Sequence, residues 1–374
     1  MNLNVIEQIV VTTMPVSEPR YRRIQQHIEQ LIAQRRVHEG ERIPSEREIA
    51  RQFGVSQMTV NRAIQELVRE GVLVRRVGSG TYVQRRQPLA RAVTRTSVVM
   101  VPPFADHLEE DTYLRWPFHA FRDRAIQDDY VLIVEPASYQ GYQEVVQRYP
   151  GAGFIFLIPD EEGYDTLHHL FVRGVPFVVL GASWQDAPFA CVDSDNIDGA
   201  RMAMGYLFRL GHERIAYVNG KESATNCRDR LRGYLQAMEE RGIVAEEDWI
   251  VRPHSNRQLS DEAKHHLTSL LLRRDAVTAI FCAGYYLTLE VLSLIRTLRL
   301  RVPEDVSIIS FDDPSSAAHL QPPLTVVRQP LYAMGERAVD RLLNRMRSPA
   351  NEPGGVEYLP VELIVRNSCE RLPE

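Results

Sequence analysis

The sequence predicts two folds in one chain: an α+β winged helix-turn-helix at the N-terminus, then a two-lobed α/β body. Three observations carry this. Charge is uneven: residues 18–97 hold 16 Arg and no Lys against 8 Asp plus Glu, whereas residues 98–374 hold 28 basic and 40 acidic residues. Short helical stripes punctuated by glycine fill residues 21–83, and from Ser97 onward buried-type apolar runs alternate with helical patterns,. A basic head on an acidic body implies that the head meets a polyanion.

Within the head, Tyr21 to Arg35 places Ile24, Ile28, Leu31 and Ile32 on one face of an amphipathic helix, and Gly40 breaks it,. Ser45 and Glu48 form an S-x-x-E capping box, opening a short helix that turns Ile49, Ala50 and Phe53 inward and ends at Gly54,. Ser56 caps the next helix, which buries Val60, Ala63, Ile64 and Leu67 and stops at Gly71,. Its other face carries Met58, Asn61, Arg62 and Gln65, with Gln57 and Thr59 near the N-terminus. Amides and hydroxyls there bond base edges or phosphates, and the helix N-terminus attracts phosphate. "VLVRRV", "GSG" and "TYV" then read as a hairpin wing. Arg75 and Arg76 flank its turn, and Gly78 and Gly80 let the backbone approach a phosphate or the minor groove,. Each piece alone also occurs as ordinary packing; the combination in one arginine-rich unit is the specific signal.

Residues 84–97 lack helical periodicity and read as a basic linker, after a flexible N-terminus over 1–17 and a head over 18–83. From Ser97 the strands "SVVMV", "VLIV", "GFIFLI", "FVVL", "RIAYV", "AIFCA" and "SIISF" alternate with helices. Those helices are expected near 118–126, 142–148, 164–172, 200–210, 229–241, 261–272 and 287–298. Such runs indicate parallel sheets, and 98–368 is too long for one comfortable sheet, so two lobes are expected before a tail at 369–374. Neither a dinucleotide fingerprint, a P-loop nor a nucleophile elbow occurs,. The adjacent pairs His168–His169 and His265–His266 point about 100° apart on a helix, so no metal is expected. Cys191, Cys227, Cys282 and Cys369 are widely spaced and read as reduced thiols,. No window approaches the ~20 apolar residues of a membrane span. The N-terminus carries Glu7 and no secretory pattern, so a cytoplasmic location is expected,.

Residues 21–83 resemble the GntR-type winged helix-turn-helix, through "IPSEREIA", "GVSQMTVNRAIQEL" and "EGVLVRRVGSGTYV", and look most like its HutC branch. By matching position, the resemblance implies DNA contacts from Arg47, Gln57, Thr59, Asn61 and Arg62, with the wing tip Gly78, Ser79, Gly80 and Thr81 at the minor groove. Many relatives carry Arg where Gln57 and Asn61 stand; amide side chains suit adenine, which implies an altered operator.

The body resembles the LacI/GalR-type sugar-sensing domain, a periplasmic-binding-protein-like fold of type I. The matching segments are 192–220, 228–243 and 300–343, the last running "LRVPEDVSIISFDDPSSAAHLQPPLTVVRQPLYAMGERAVDRLL". The resemblance implies ligand contacts from Asp198, Arg230 and Asp312, whose carboxylates and forked guanidinium bond paired hydroxyls. Trp116, with Trp184 second, is the candidate for the apolar face of a sugar ring. Where the family has Asn-Asp after the strand ending near Cys282, this chain has Gly284 and Tyr285. That reshapes the pocket and leaves a nucleoside open as effector.

Together the two halves resemble repressors of the arabinose-responsive kind. The resemblance implies a homodimer on a palindromic operator, no cofactor, no catalytic residues, and a small-molecule effector that releases DNA in the cytoplasm, at the nucleoid. Two rivals differ in class. An aminotransferase fused to the head needs a cofactor lysine, yet the body holds only Lys221 and Lys264, neither in a suitable context. A free solute-binding protein fits neither the basic head nor the N-terminus.

Overall fold

A computed structural model describes Tyr21, Ile24, Gln25, His27, Ile28 and residues 40–69, 72–76, 79–83, 96–103, 111, 113–253, 255–348 and 353–372, without the side chains of Arg69 and Arg76. Two compact units result, 1–93 and 94–374.

In the first unit, Tyr21, Ile24, Gln25, His27 and Ile28 are helical; the remainder of that expected helix, including Leu31 and Ile32, lies outside the described residues. Helix α1 (Glu46–Phe53) opens on the expected capping box, with Ser45 Oγ accepting from Glu48 N at 3.3 Å and Glu48 Oε2 accepting from Ser45 N at 2.7 Å. It closes on Gly54 at φ 61°, a left-handed cap that glycine adopts without strain,. Helix α2 (Gln57–Arg69) follows, then the antiparallel hairpin β1 (Leu73–Arg76) and β2 (Gly80–Val83), with Arg76 opposite Gly80. Ile24, Ile28, Ile49, Val60, Ile64, Leu67, Leu73 and Val83 share one core, so the apolar stripes of three helices and the hairpin meet as their periodicities require,.

The second unit holds two six-stranded sheets. In lobe 1 the strands are β3 (Ser97–Val101), β4 (Val131–Val134), β5 (Gly153–Leu157), β6 (Phe177–Leu180), β7 (Ala190–Ser194) and β13 (Gly355–Leu359). They run parallel throughout in the order β13-β7-β6-β5-β3-β4. Lobe 2 holds β8 (Ile215–Val218), β9 (Ile250–Val251), β10 (Ala279–Cys282), β11 (Ser307–Phe311), β12 (Thr325–Arg328) and β14 (Glu362–Ile364). Its order is β14-β12-β11-β10-β8-β9, with only β14 antiparallel to its neighbour among these pairs. Strands β5, β6, β8, β10 and β11 are buried along their whole length. That is why they read as unbroken apolar runs rather than alternating ones.

Helices cover both faces. Lobe 1 carries α3 (Arg115–Gln127), α4 (Tyr142–Arg148) and α5 (Tyr164–Val172); lobe 2 carries α6 (Asn196–Arg209), α7 (Thr225–Glu240), α8 (Asp261–Leu272) and α9 (Tyr285–Thr297). Helix α10 (Leu331–Arg347) leaves lobe 2 and packs back on lobe 1, placing Met334, Ala338 and Leu342 among Phe121, Ile155 and Val178. The chain thus crosses between lobes three times, at 194–196, 328–331 and 359–362. Three strands at a crossing make a hinge, and the cleft it leaves is where a ligand site belongs in this architecture.

Candidate functional site

The first turns of α6, α7 and α9 converge on the cleft. Those of α7 and α9, with the end of β11, border a cavity of about 180 Å³, lined by Asp111, Tyr113, Asn226, Arg230, Gly284, Tyr285 and Asp312 among others. That is ample for a small molecule, since about 10–15 Å³ of such space already admits a water.

Arg230 is the fixed cation of this cavity. Its Nε donates to Asn196 Oδ1 at 2.8 Å, an Nη donates to the Ala283 carbonyl at 2.5 Å, and the guanidinium lies 3.6 Å from the Phe311 ring centroid. Stacking and two bonds hold the fork rigid, leaving further donors for a guest. Asp312 follows β11 at φ 74°, a left-handed conformation unusual for a non-glycine residue and characteristic of strained functional sites,. Its Oδ1 accepts from Gln329 Nε2 at 2.5 Å. Tyr113 and Asn226 line the same cavity, and the Tyr113 hydroxyl and Asn226 Oδ1 are buried without a partner among the described residues. The Tyr113 hydroxyl packs against Gly181, where a Cβ would fall on it. Burial, and then the nearby Asp193, hold the Tyr113 phenol protonated well above its ordinary pKa. Burial likewise pushes the Asp193 carboxyl up to about 7, and its Oδ2 has no partner among the described residues.

The lobes are also tied directly. Lys221 Nζ meets Asp160 Oδ2 at 2.5 Å, Arg228 meets Glu161 at 2.8 Å and the Ser183 carbonyl at 3.1 Å, and Arg257 pairs with Asp111. Ser183 N donates to Thr225 Oγ1 at 3.1 Å. The half-exposed pairs at Lys221 and Arg228 are worth at most ~1 kcal/mol each, whereas Asp111, Ser183 and Thr225 are buried.

Arg230, Asp312, Gly284 and Tyr285 therefore meet, as the sequence anticipates. Asp198 differs. It is exposed, its amide caps onto Asp195 Oδ1 at 2.9 Å, and it lines an outer groove instead. Residues two apart on a helix point to nearly opposite sides, so Asn196, not Asp198, faces Arg230. Tyr285 contributes its position but not its phenol, which turns away to Ser316 Oγ at 2.8 Å. Trp116 lies outside the cavity in an adjoining groove, 47% exposed. Trp184 is core, packed 5.4 Å from Tyr164 and 6.0 Å from Phe189 by ring centroids. Tyr113, Asn226 and Asn256 were not singled out, because nothing in their local sequence marks them. Cys191, Cys227 and Cys282 are buried and unpaired, and Cys369 is half-buried.

On the first unit, α2 presents Gln57, Met58 (82% exposed) and Arg62 outward. Ser56 Oγ accepts from Thr59 N at 3.2 Å, capping the helix as expected. Arg47 is exposed on α1. Arg62 lies 4.4 Å from the Tyr21 ring centroid and reaches Glu66 at 3.9 Å. Asn61 and Arg75 are both engaged by Glu46: Asn61 Nδ2 donates to its carboxylate at 3.2 and 3.3 Å, and Arg75 pairs with it. At the wing, Ser79 Oγ and Tyr82 OH bond at 2.6 Å, while Gly80 adopts φ 125° with Arg42 folded against it, where a Cβ would fall 2.6 Å from Arg42 Nε. Thr81 is half-buried; Gly78 and the Arg76 side chain lie outside the described residues.

Two family patterns match this chain. Residues 20–83 match the family described as bacterial regulatory proteins, gntR family, and residues 204–369 match a periplasmic binding protein-like domain. The chain joins a gntR-type head to a periplasmic-binding-protein-like body. The pairing extends along a whole relative: an arabinose metabolism transcriptional repressor of Geobacillus stearothermophilus is 28% identical over 370 residues, spanning 95% of this chain and 98% of that protein. The HTH-type transcriptional repressor CytR of Escherichia coli K12 is 28% identical over 327 residues, covering 85% of this chain and 90% of its own. Among solved structures, a regulatory protein of LacI family from Chloroflexus aggregans superposes with a TM-score of 0.63 at 26% identity, covering 73% of this chain and 98% of that one. The gntR-type head with its two-sheet, periplasmic-binding-protein-like body is the fold class the sequence predicts.

No helix among the described residues is long and apolar enough to cross a membrane. Nor does any group of three or more His, Cys, Asp or Glu among them suit a metal ion.

Proposed function

We propose that this chain is a ligand-responsive, sequence-specific transcription regulator: a repressor of carbohydrate-use genes, released from its operator by a sugar or sugar derivative. One observation carries the reading. A cavity between hinged lobes, lined by Arg230 and Asp312, sits in the same chain as an arginine-rich winged helix-turn-helix. The whole-length similarity to a repressor of arabinose metabolism supports the carbohydrate part.

In this reading Arg230 and Asp312 grip the effector's hydroxyls, a forked donor and a carboxylate acceptor matching a polyol's paired groups. Arg47, Ser56, Gln57, Met58, Thr59, Asn61 and Arg62 meet the major groove and its phosphates. Arg75, Arg76 and the wing tip from Gly78 to Thr81 meet the backbone and the minor groove. The head spans 18–83, a linker 84–97, and the sensor 98–368. Two copies bind a palindromic operator, and effector binding changes how they pack, so the heads no longer match two half-sites. Coupling of ~1–3 kcal/mol changes operator affinity about 5–150-fold. The protein works in the cytoplasm, at the nucleoid, and catalyses nothing.

The test combines a thermal-shift screen of monosaccharides, sugar acids, polyols and nucleosides with operator binding by gel shift. A ligand that raises the melting point should also weaken operator binding, and Asp312→Ala should retain operator binding but lose release. Release that survives in Asp312→Ala places the effector elsewhere.

A further inference from the structure

Each lobe sends a carboxyl group to one shared contact. Ser183, in the loop after β6 of lobe 1, docks on the first turns of α7 in lobe 2. Its amide donates to Thr225 Oγ1 at 3.1 Å, its carbonyl accepts from Arg228 at 3.1 Å, and its hydroxyl donates to Asp229 Oδ2 at 3.4 Å. Asp193 stands on β7, the strand beside β6, and the bond from Gly181 N to the Val192 carbonyl keeps the two strand ends together. Asp193 of lobe 1 and Asp229 of lobe 2 are both buried there, close enough for each to act on the other.

The two carboxyls are not equally provided for. Arg228 pairs with Asp229 at 3.3 Å. Asp193 Oδ1 accepts the Ser194 amide at 2.8 Å, and its Oδ2 has no partner among the described residues. Arg230 attracts Asp193 from α7, yet its printed bonds go to Asn196 and the Ala283 carbonyl. A buried carboxylate without a bonded cation is costly to ionise, and a second carboxylate facing it adds repulsion. Both penalties disappear when Asp193 holds a proton, or when the lobes part and water enters.

The charged and titratable groups around the pair are Arg228, Arg230 and Arg232 on α7, Tyr113 ahead of α3, Cys191 on β7 and Tyr358 on β13. The arginines stay charged at every ordinary pH. Burial raises the Tyr113 and Tyr358 phenols and pushes the Cys191 thiol up to about 12, so these stay neutral. Near neutrality only the two carboxyls can change charge. Burial raises both, Asp193 to about 7, with the Ser194 amide and Arg230 opposing at Asp193 and Arg228 opposing at Asp229.

We propose that closure of the lobes is coupled to a proton: Asp193 and Asp229 face each other across the lobe boundary, permit closure while the pair holds a proton, and press the lobes apart when it is lost. This follows from the two-lobed fold and does not depend on the effector's identity. In the open form water returns the Asp193 carboxyl towards ~3.9, so the closed form binds the proton more tightly. Closure is therefore favoured most below about pH 4, weakens as pH rises, and reaches its floor above about pH 7,.

The experiment is a distance measurement by double electron–electron resonance on the full-length protein. Spin labels sit at Val172→Cys in lobe 1 and Val244→Cys in lobe 2, both exposed positions, in a Cys369→Ser background with unlabelled chains in excess. From pH 5 to pH 7 the ratio of open to closed distances should rise by up to about tenfold per pH unit, the slope of one linked proton. Asp193→Asn should hold the ratio flat across that range. Asp229→Asn, which keeps Asp193 but removes the facing charge, should give a smaller total rise that levels off at a lower pH. A wild-type ratio that does not change between pH 5 and pH 7, or an Asp193→Asn curve that follows the wild type, overturns the inference. So does a full wild-type rise in Asp229→Asn, since the two carboxyls then do not act as a pair.

Discussion

Gln329 joins the hinge to the cavity by holding Ser194. Its Oε1 accepts the Ser194 hydroxyl at 2.6 Å while its Nε2 donates to Asp312 Oδ1 at 2.5 Å. Ser194 ends β7 at the first crossing and Gln329 follows β12 at the second, so one buried amide spans two of three hinge segments and ends on a cavity carboxylate. A guest that takes Asp312 Oδ1 competes with that bond.

Gln329→Ala is therefore expected to uncouple the two functions. The ratio of operator affinity without and with effector should fall towards one, while operator binding without effector stays within about twofold. Leaving the Ser194 hydroxyl unsatisfied should also cost about 1–3 kcal/mol of stability. Gel shifts with and without effector check the first and thermal melts the second; an unchanged ratio removes Gln329 from the relay.

The Glu46 carboxylate orients Asn61 and holds Arg75. Glu46→Gln should free Arg75 for phosphate and let the Asn61 amide turn over. Affinity for random duplex should rise, with the salt slope steeper by about one. The preference for operator over random DNA should fall by about tenfold, the lower end of what one bidentate base contact supplies. Weaker random binding would contradict this.

Asp193 sets a pH dependence. Burial raises its carboxyl to about 7, whereas in an unfolded chain it titrates near ~3.9. The folded state thus holds the proton more tightly. The stability contribution is full below about pH 4, declines as pH rises, and is gone above about pH 7. Relative to Asp193→Asn, the wild-type protein should lose melting temperature between about pH 4 and pH 7. Parallel curves for the two proteins would show that Asp193 does not titrate there.

Gly233 marks a close approach of α6 and α7. A Cβ there would fall 2.4 Å from the Ile197 carbonyl oxygen and 2.8 Å from Ala200 Cβ. Gly233→Ala should cost about 1–3 kcal/mol, as overpacking does. Gly205→Ala is the control: a Cβ there meets only Arg209 Nη1, at 3.8 Å, so the helix should gain up to about 1 kcal/mol,. Equal melting points for the two variants would refute the steric account.

Helix bounds show where sequence reading stops. Those of α4, α5 and α8 match the apolar periodicity to the residue, because these helices pack a full face on a sheet. Helices α6, α7 and α9 begin two to four residues before their stripes. Their first turns face the cleft, carrying Asn196, Asn226 and Tyr285 where a core-packed helix would carry aliphatics. The polar function of those turns is what hid them. Strands β12, β13 and β14, beside the crossings, escaped for a related reason: they are three to five residues long and none carries an unbroken run of four apolar residues,.

Local chemistry sufficed for the capping box at Ser45 and Glu48, the left-handed stop at Gly54, the buried strands, and the division between basic head and two-lobed body. Each depends on residues a few positions apart, so spacing alone specifies it. Which oxygens gather around the cavity is different. Asn196 beside Arg230, and Gln329 between Ser194 and Asp312, are pairings over tens to hundreds of residues. Three crossings of the hinge bring them together, and side-chain direction at each helix start decides which neighbour, Asn196 or Asp198, enters the cleft.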